Sequence, residues 1–161
     1  AGHSERRHVF GESDELVARK AIFALSHGLK TMLCIGEKLE EREQGSLYAV
    51  LERQLTAFFE ARPDGMSGET LPGRLAIAYE PVWAIGTGKV AGPGEVREAH
   101  GVTRALLERF VGDSGKKLPI LYGGSVKPDN AGALIALDNV DGLLVGGASL
   151  EAQSFLQIIG A

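Results

Sequence analysis

The chain has 161 residues, of which 44% are hydrophobic and 24% charged, and its formal net charge is −4 at pH 7. This composition excludes a disordered chain and argues against a broad basic surface for nucleic acid or acidic membranes. The longest apolar run has five residues, whereas a membrane-spanning helix needs about 20.

Alternating helical and strand patterns run along the sequence. In chain order we predict a helix over Asp14–His27, a strand over Lys30–Gly36, a helix over Ser46–Arg62, a strand over Leu75–Glu80, a helix over Gly94–Val111, a strand over Leu118–Gly123, a helix over Asn130–Leu137, a strand over Val140–Gly146 and a helix over Leu150–Ile159. The strands are almost continuously apolar, as expected when both faces are covered. The acidic segment Glu37–Glu43 is predicted to be a solvent-exposed helical face.

This order predicts a parallel sheet with right-handed crossovers. A (β/α)8 barrel has roughly 31 residues per unit, so the chain would hold about five units. We count four complete units and one helix without its strand. We therefore predict an α/β fold in which residues 1–161 form a single domain, the C-terminal part of a larger barrel.

A carboxylate followed by an apolar loop stands at the end of the second predicted strand. Glu80 ends this strand, and the loop PVWAIGTGK occupies positions 81–89. Catalytic groups of parallel α/β folds lie at this end of their strands. The loop is predicted to close over a ligand, because its apolar side chains are costly to expose and Gly86 and Gly88 let it bend. The alternative is a structural carboxylate below an ordinary loop.

Paired glycines close the last two predicted strands, at Gly123–Gly124 and Gly146–Gly147. Loops at these positions of a barrel often bind phosphate through backbone N–H groups and the start of a helix. Such a site needs no lysine or arginine, and neither string contains one.

The histidines and the single cysteine are interpreted from their local sequence. His3 stands at a strand end, where it could act as an electrophile or proton carrier, or only as a helix cap. His27 is predicted at a helix C-terminus, and His8 and His100 on the surface. Cys34 is predicted to be buried, and the absence of a second cysteine favours a reducing, cytoplasmic location. No grouping has metal-ligand spacing, so we expect no metal.

Five strings together resemble the triosephosphate isomerase family. They are GHSERR at 2–7, CIGE at 34–37, AYEPVWAIGTGK at 78–89, YGGSV at 122–126 and VGGA at 145–148. Their order and spacing agree with the family over essentially the whole chain. The resemblance implies a TIM barrel that interconverts dihydroxyacetone phosphate and glyceraldehyde 3-phosphate without a cofactor, in glycolysis and gluconeogenesis.

The resemblance also implies a role for each site residue. Glu80 would be the base that moves the proton, His3 a neutral electrophile and Glu5 a supporting carboxylate. The phosphate would be bound by Gly86, Ser125, Gly146 and Gly147. The lid would consist of Pro81, Val82, Trp83, Ala84, Ile85, Gly86, Thr87, Gly88 and Lys89.

The chain departs from the family pattern in one respect, since the family's first three βα units and most of its fourth strand have no counterpart. An asparagine, a lysine and much of the family's homodimer interface are therefore missing. The expected partner is a small phosphorylated triose, with no nucleic acid or membrane. The chain alone is expected to be weakly active or inactive. Two alternatives stay open: another phosphate-binding barrel enzyme, and a non-catalytic remnant.

Overall fold

The computed structural model describes residues 1–85 and 90–161. A four-stranded parallel sheet is its centre, with the order β1-β2-β3-β4. The strands are β1 (Thr31–Ile35), β2 (Leu75–Tyr79), β3 (Ile120–Tyr122) and β4 (Gly142–Leu143). The predicted parallel α/β sheet is confirmed, although each strand is shorter than predicted because residues at one or both of its ends belong to the adjoining loops.

Seven α-helices lie in the part of the chain that the structure describes. They are α1 (Ser4–His8), α2 (Asp14–Ser26), α3 (Leu39–Glu43), α4 (Leu47–Ala61), α5 (Pro93–Val111), α6 (Pro128–Ile135) and α7 (Ala152–Ile159). Short 3-10 turns occupy Gly68–Thr70, Val82–Ala84, Gly112–Lys117 and Gly147–Leu150. Among the helices of residues 1–85 and 90–161, none is both long and apolar enough to cross a bilayer.

Local sequence signals explain where several helices begin and end. The Ser13 hydroxyl caps α2 by accepting a hydrogen bond from the Leu16 N–H at 3.3 Å. Gly28 follows α2 with φ = +80°, a conformation that favours glycine. His27, between the last residue of α2 and Gly28, is the C-terminal cap of the helix, as predicted.

The main core lies between the sheet and the helices α2, α4 and α5. The alternate strand residues Leu33, Ile77 and Ile120 face these helices and are fully buried. On the opposite face, Met32, Ala76 and Leu121 are only partly buried. Cys34 and Ala78 lie on this same face and are buried. The prediction that both faces of the strands are covered is therefore correct for the face that carries the helices and, on the other face, only near the ends of β1 and β2.

Candidate active site

The ends of three strands bring the candidate residues to one edge of the sheet. Beyond β3, the Gly123 N–H donates to the Tyr79 carbonyl at 2.8 Å, and beyond β4 the Leu144 N–H donates to the Tyr122 carbonyl at 2.8 Å. These bonds continue the parallel ladder past the strands. The loops after β2, β3 and β4 consequently open on the same edge, which is where a parallel α/β sheet places its ligand.

Glu80 and His3 meet at this edge. His3 Nε2 lies 3.1 Å from Glu80 Oε1, and the Ser4 N–H donates to Glu80 Oε2 at 2.8 Å. Glu80 is 2% exposed, whereas about half of the His3 side chain is open to solvent. The pair thus has one buried carboxylate and one imidazole that reaches outward from the same edge.

His3 caps the short helix α1 and is oriented by it. Its Nδ1 accepts a long hydrogen bond, 3.4 Å, from the Glu5 N–H. In a neutral imidazole this arrangement puts the proton on Nε2, the nitrogen that faces Glu80. Glu5 contacts His3 through its backbone, and its own side chain is exposed.

A glycine lets the backbone of Glu80 approach the end of β1. The Glu80 N–H donates to the Ile35 carbonyl at 2.7 Å. A Cβ atom on Gly36 would lie 1.8 Å from the Glu80 carbonyl oxygen, far inside any allowed contact. Only glycine permits this packing at position 36 without a backbone shift.

Burial raises the pKa of the Glu80 carboxyl group above its ordinary value. Opposing contributions come from His3, from the Ser4 N–H and from Arg7. A carboxylate with a raised pKa is a stronger base, and its pKa lies closer to the working pH, which suits a general base. The site therefore favours proton transfer by Glu80.

Cys34 lies on the same side, at the end of β1. It is 5% exposed, and burial together with the charge of Glu80 raises its pKa to about 12. Such a thiol remains protonated and unreactive at neutral pH. This confirms the prediction that Cys34 is a buried packing residue.

The glycine-rich loop after β3 lies beside Glu80. A Cβ atom on Gly123 would lie 3.0 Å from Glu80 Cγ, so the backbone of Gly123 packs closely against the Glu80 side chain. Ser125 is partly buried and its carbonyl accepts from Asn130 Nδ2 at 2.9 Å. Gly146 and Gly147 are exposed at the start of a 3-10 turn, whose first N–H groups have no partner within the turn.

The loop after Glu80 is described only in part. Its first residues, 81–85, include a 3-10 turn over Val82–Ala84, in which Trp83 is 8% exposed. Gly86 and the other predicted lid residues Thr87, Gly88 and Lys89 lie outside the described residues.

Glu37 belongs to the acidic segment that was predicted to be a solvent-exposed helical face. The helical part of that prediction is confirmed by α3, but Glu37 itself is 0% exposed. Glu37 Oε1 accepts hydrogen bonds from Tyr79 Oη at 3.0 Å and from Trp83 Nε1 at 2.8 Å. The available signal was its place close to a strand end, two residues after β1, in the loop at the same edge of the sheet as Glu80.

The prediction that His100 is a surface residue was wrong. Its side chain is 0% exposed, its Nδ1 lies 2.8 Å from the Asn139 carbonyl, and its ring packs edge-on against Tyr79. The buried positions of α5 recur every three or four residues, and His100 falls on that stripe. Its role is to pack α5 against the sheet, behind the candidate site.

Comparison with known proteins agrees with this geometry. The family model described as triosephosphate isomerase matches residues 1–161. The chain belongs to the triosephosphate isomerase family. The predicted resemblance and the partial TIM-barrel fold are thereby confirmed.

Individual members of the triosephosphate isomerase family match almost the whole chain. A triosephosphate isomerase of Nitratidesulfovibrio vulgaris, strain Miyazaki F, is 62% identical over 158 residues, 98% of this chain and 61% of that protein. The chloroplastic triosephosphate isomerase of Arabidopsis thaliana is 48% identical over 161 residues, 99% of this chain and 49% of that protein. The crystal structure of triosephosphate isomerase from Bartonella henselae superposes with a TM-score of 0.85 at 44% identity, covering 98% of this chain and 61% of that one. The chain thus spans about three-fifths or less of the length of these relatives.

Proposed function

We propose that this chain carries the proton-transfer residues of a triosephosphate isomerase that interconverts dihydroxyacetone phosphate and glyceraldehyde 3-phosphate. The observation that supports this most is the 3.1 Å approach of His3 Nε2 to the buried Glu80 carboxylate, at the edge where the glycine loops open. The family membership of the whole chain agrees with it.

In the proposed reaction Glu80 removes a proton from one of the two adjacent substrate carbons and returns it to the other. The electron pair left behind forms an enediolate, whose developing oxygen charge is stabilised by the Nε2–H of His3. As the carbonyl changes place, the hydroxyl proton leaves one of the two substrate oxygens and is delivered to the other through His3. The Ser4 N–H donates to the Glu80 carboxylate and orients it at this edge of the sheet. Glu5 supports His3 through the helix that both belong to.

Phosphate binding is assigned to the backbone N–H groups of Gly86, Ser125, Gly146 and Gly147. The last three belong to loops on the same edge as Glu80. Phosphate held there would orient the reacting carbons at Glu80, and residues 81–89 would act as the lid that excludes water. We expect the whole protein to bind a small phosphorylated triose, to be cytoplasmic and to act as a homodimer, with no nucleic-acid or membrane partner.

The assignment of the base is tested by substitution in a complete barrel. The test protein is a chimera, the Nitratidesulfovibrio vulgaris triosephosphate isomerase in which the residues of this chain replace the 158 residues that they match. Its isomerase activity would be followed in a coupled assay. Glu80→Gln is expected to lower kcat about 10²- to 10⁴-fold, because glutamine cannot accept the proton. Glu60→Gln, at an exposed position of α4, is the matched control and should leave kcat unchanged.

Two outcomes would contradict the proposal. Near-normal activity of the Glu80→Gln chimera would show that another group is the base. Turnover of a larger sugar phosphate but not of trioses would instead favour a different phosphate-binding barrel enzyme.

A further inference from the structure

A buried carboxylate without an obvious part in proton transfer lies below the loop that follows Glu80. Both described hydrogen bonds to Glu37, from Tyr79 and Trp83, reach the same oxygen, Oε1. The other oxygen, Oε2, is buried and has no partner among the described residues. An ionised carboxylate that is only half satisfied in a protein interior requires a compensating charge.

Arg42 on α3 supplies that charge. Its Nη1 lies 3.9 Å from Glu37 Oε1, and its Nη2 lies 2.6 Å from Glu98 Oε2 on α5. The Arg42 side chain is 21% exposed, so it is partly shielded from solvent. Arg42 therefore connects the residue that binds the Trp83 indole to a helix on the other side of the loop.

We propose that Arg42 is a positioning residue for Trp83: held by Glu98, its guanidinium keeps Glu37 ionised, so that Glu37 can bind the Trp83 indole. The proposal rests on the proposed function only in treating the loop after Glu80 as the lid. The hold on Trp83 itself does not depend on catalysis.

Protonation of Glu37 is the event that Arg42 opposes. Burial raises the pKa of Glu37, whereas the Trp83 and Tyr79 hydrogen bonds and the charge of Arg42 lower it. Burial and the charge of Glu37 also raise the pKa of Tyr79, so that its hydroxyl remains a donor. Hydrogen bonds to a charged acceptor are roughly twice as strong as neutral ones, so a protonated Glu37 would hold Trp83 less firmly.

The groups that surround Glu37 come from four elements. Tyr79 faces it from β2, Trp83 from the 3-10 turn, Arg42 from α3 and, through Arg42, Glu98 from α5. Arg42 is the cation among them, so removing its charge should raise the pH at which Glu37 gains a proton. A purely structural role, in which Arg42 only ties α3 to α5, would leave that pH unchanged.

The emission of Trp83 reports this titration directly, because the chain contains one tryptophan. The emission of the 161-residue chain would be followed from about pH 4 to about pH 9 for wild type, Arg42→Gln and Glu37→Gln. We expect Arg42→Gln to raise the midpoint by at least about 0.5 pH unit, and Glu37→Gln to abolish the transition. Arg97→Gln, at an exposed position of α5, is the matched control and should keep the wild-type midpoint.

An unchanged midpoint in Arg42→Gln, or a transition that persists in Glu37→Gln, would overturn the proposal. If Arg42→Gln does not fold, the wild-type chain still decides: raising NaCl from about 0.05 M to about 1 M should raise its midpoint by screening Arg42. A midpoint that does not respond to salt would then count against the proposal. A shifted midpoint together with an inactive chimera would support the role of Arg42 and reject the isomerase assignment.

Discussion

Gly36 determines where the backbone of Glu80 can lie. Since a Cβ atom at this position would lie 1.8 Å from the Glu80 carbonyl oxygen, Gly36→Ala must push the two strand ends apart. We expect the free energy of unfolding to fall by about 1–3 kcal/mol. Isomerase activity of the chimera should fall with it, because Glu80 moves. Urea unfolding followed by circular dichroism measures the first effect, and the coupled assay measures the second.

The control for this substitution is Gly65→Ala. A Cβ atom on Gly65 would meet no atom within 4 Å, and the residue is exposed. Its unfolding curve should match that of the wild type. Equal stability of Gly36→Ala and Gly65→Ala would show that the close approach at Gly36 has no energetic consequence.

The raised pKa of Glu80 makes stability depend on pH in a defined direction. Folding disfavours the charged form, so the unfolded chain releases its proton at a lower pH than the folded chain does. The stability contributed by this group is therefore greatest at low pH and is lost as the pH rises from the ordinary carboxyl value through the raised folded value. Relative to the wild type, Glu80→Gln should become progressively more stable between about pH 4 and about pH 8.

Urea unfolding of the two proteins at a series of pH values measures this difference. Glu60→Gln, at an exposed position of α4, serves as the control. If Glu80→Gln instead loses stability relative to the wild type as the pH rises, the folded protein favours the charged form of Glu80.

The sequence was sufficient to predict that Glu80 and His3 lie at one edge of the sheet, because a residue that precedes a glycine-containing loop or a short helix is part of a local pattern. It was not sufficient for Glu37, whose charged neighbours in the sequence point to solvent. Burial of Glu37 depends on donors from β2 and from the loop after it, which are more than 40 residues away. Contacts of this kind are set by tertiary packing, which local patterning does not contain.

At the scale of whole elements, Arg104 on α5 connects the ends of several segments. Its guanidinium donates to the Gly115 and Leu118 carbonyls at 2.6 and 2.7 Å, and to Asp141 Oδ2 at 2.8 Å. Asp141 Oδ2 also accepts the Ile120 N–H at 2.8 Å, at the start of β3. One side chain thereby fixes where β3 begins beside α5 and next to β4.

We expect Arg104→Met to lower the free energy of unfolding by about 2–4 kcal/mol, because two carbonyls and a carboxylate each lose one donor. Chemical denaturation measures the loss. Arg97→Met is the matched control, since Arg97 is an exposed arginine on the same helix, and should change stability by less than about 0.5 kcal/mol. If the two variants are equally stable, the Arg104 network does not hold these elements together.

Helix periodicity could have corrected the assignment of His100. The buried residues of α5 are Val96, Ala99, His100, Thr103, Leu106 and Leu107, a stripe with helical spacing. Reading histidine as polar hid this regularity. Strand lengths were harder to predict, because the last apolar residues of each run continue into loops that keep part of the ladder, as Gly123 and Leu144 do.

At the scale of the molecule, the sheet packs against helices on one face and leaves the other partly open. Large apolar side chains are also exposed near β4, with Leu150 at 85%, Leu156 at 67% and Ile159 at 64%. Exposed apolar surface and an unpaired strand edge favour association. We expect the 161-residue chain to show concentration-dependent self-association in sedimentation velocity.

The chimera, in which the relative's residues are also present, provides the comparison for this prediction. It should show less self-association beyond its native oligomer, and it should have higher isomerase activity per site than the 161-residue chain. If the 161-residue chain stays monomeric at all concentrations and is as active as the chimera, its four-stranded sheet is sufficient for a stable and active protein.

The inert thiol of Cys34 has a practical consequence. As the chain's one sulfhydryl, protonated and shut inside the fold beside Glu80, it can be alkylated only when the surrounding structure opens. The rate at which a thiol reagent modifies it would therefore measure how often the neighbourhood of Glu80 opens in otherwise native protein. Each labelled molecule would be a record of one such opening.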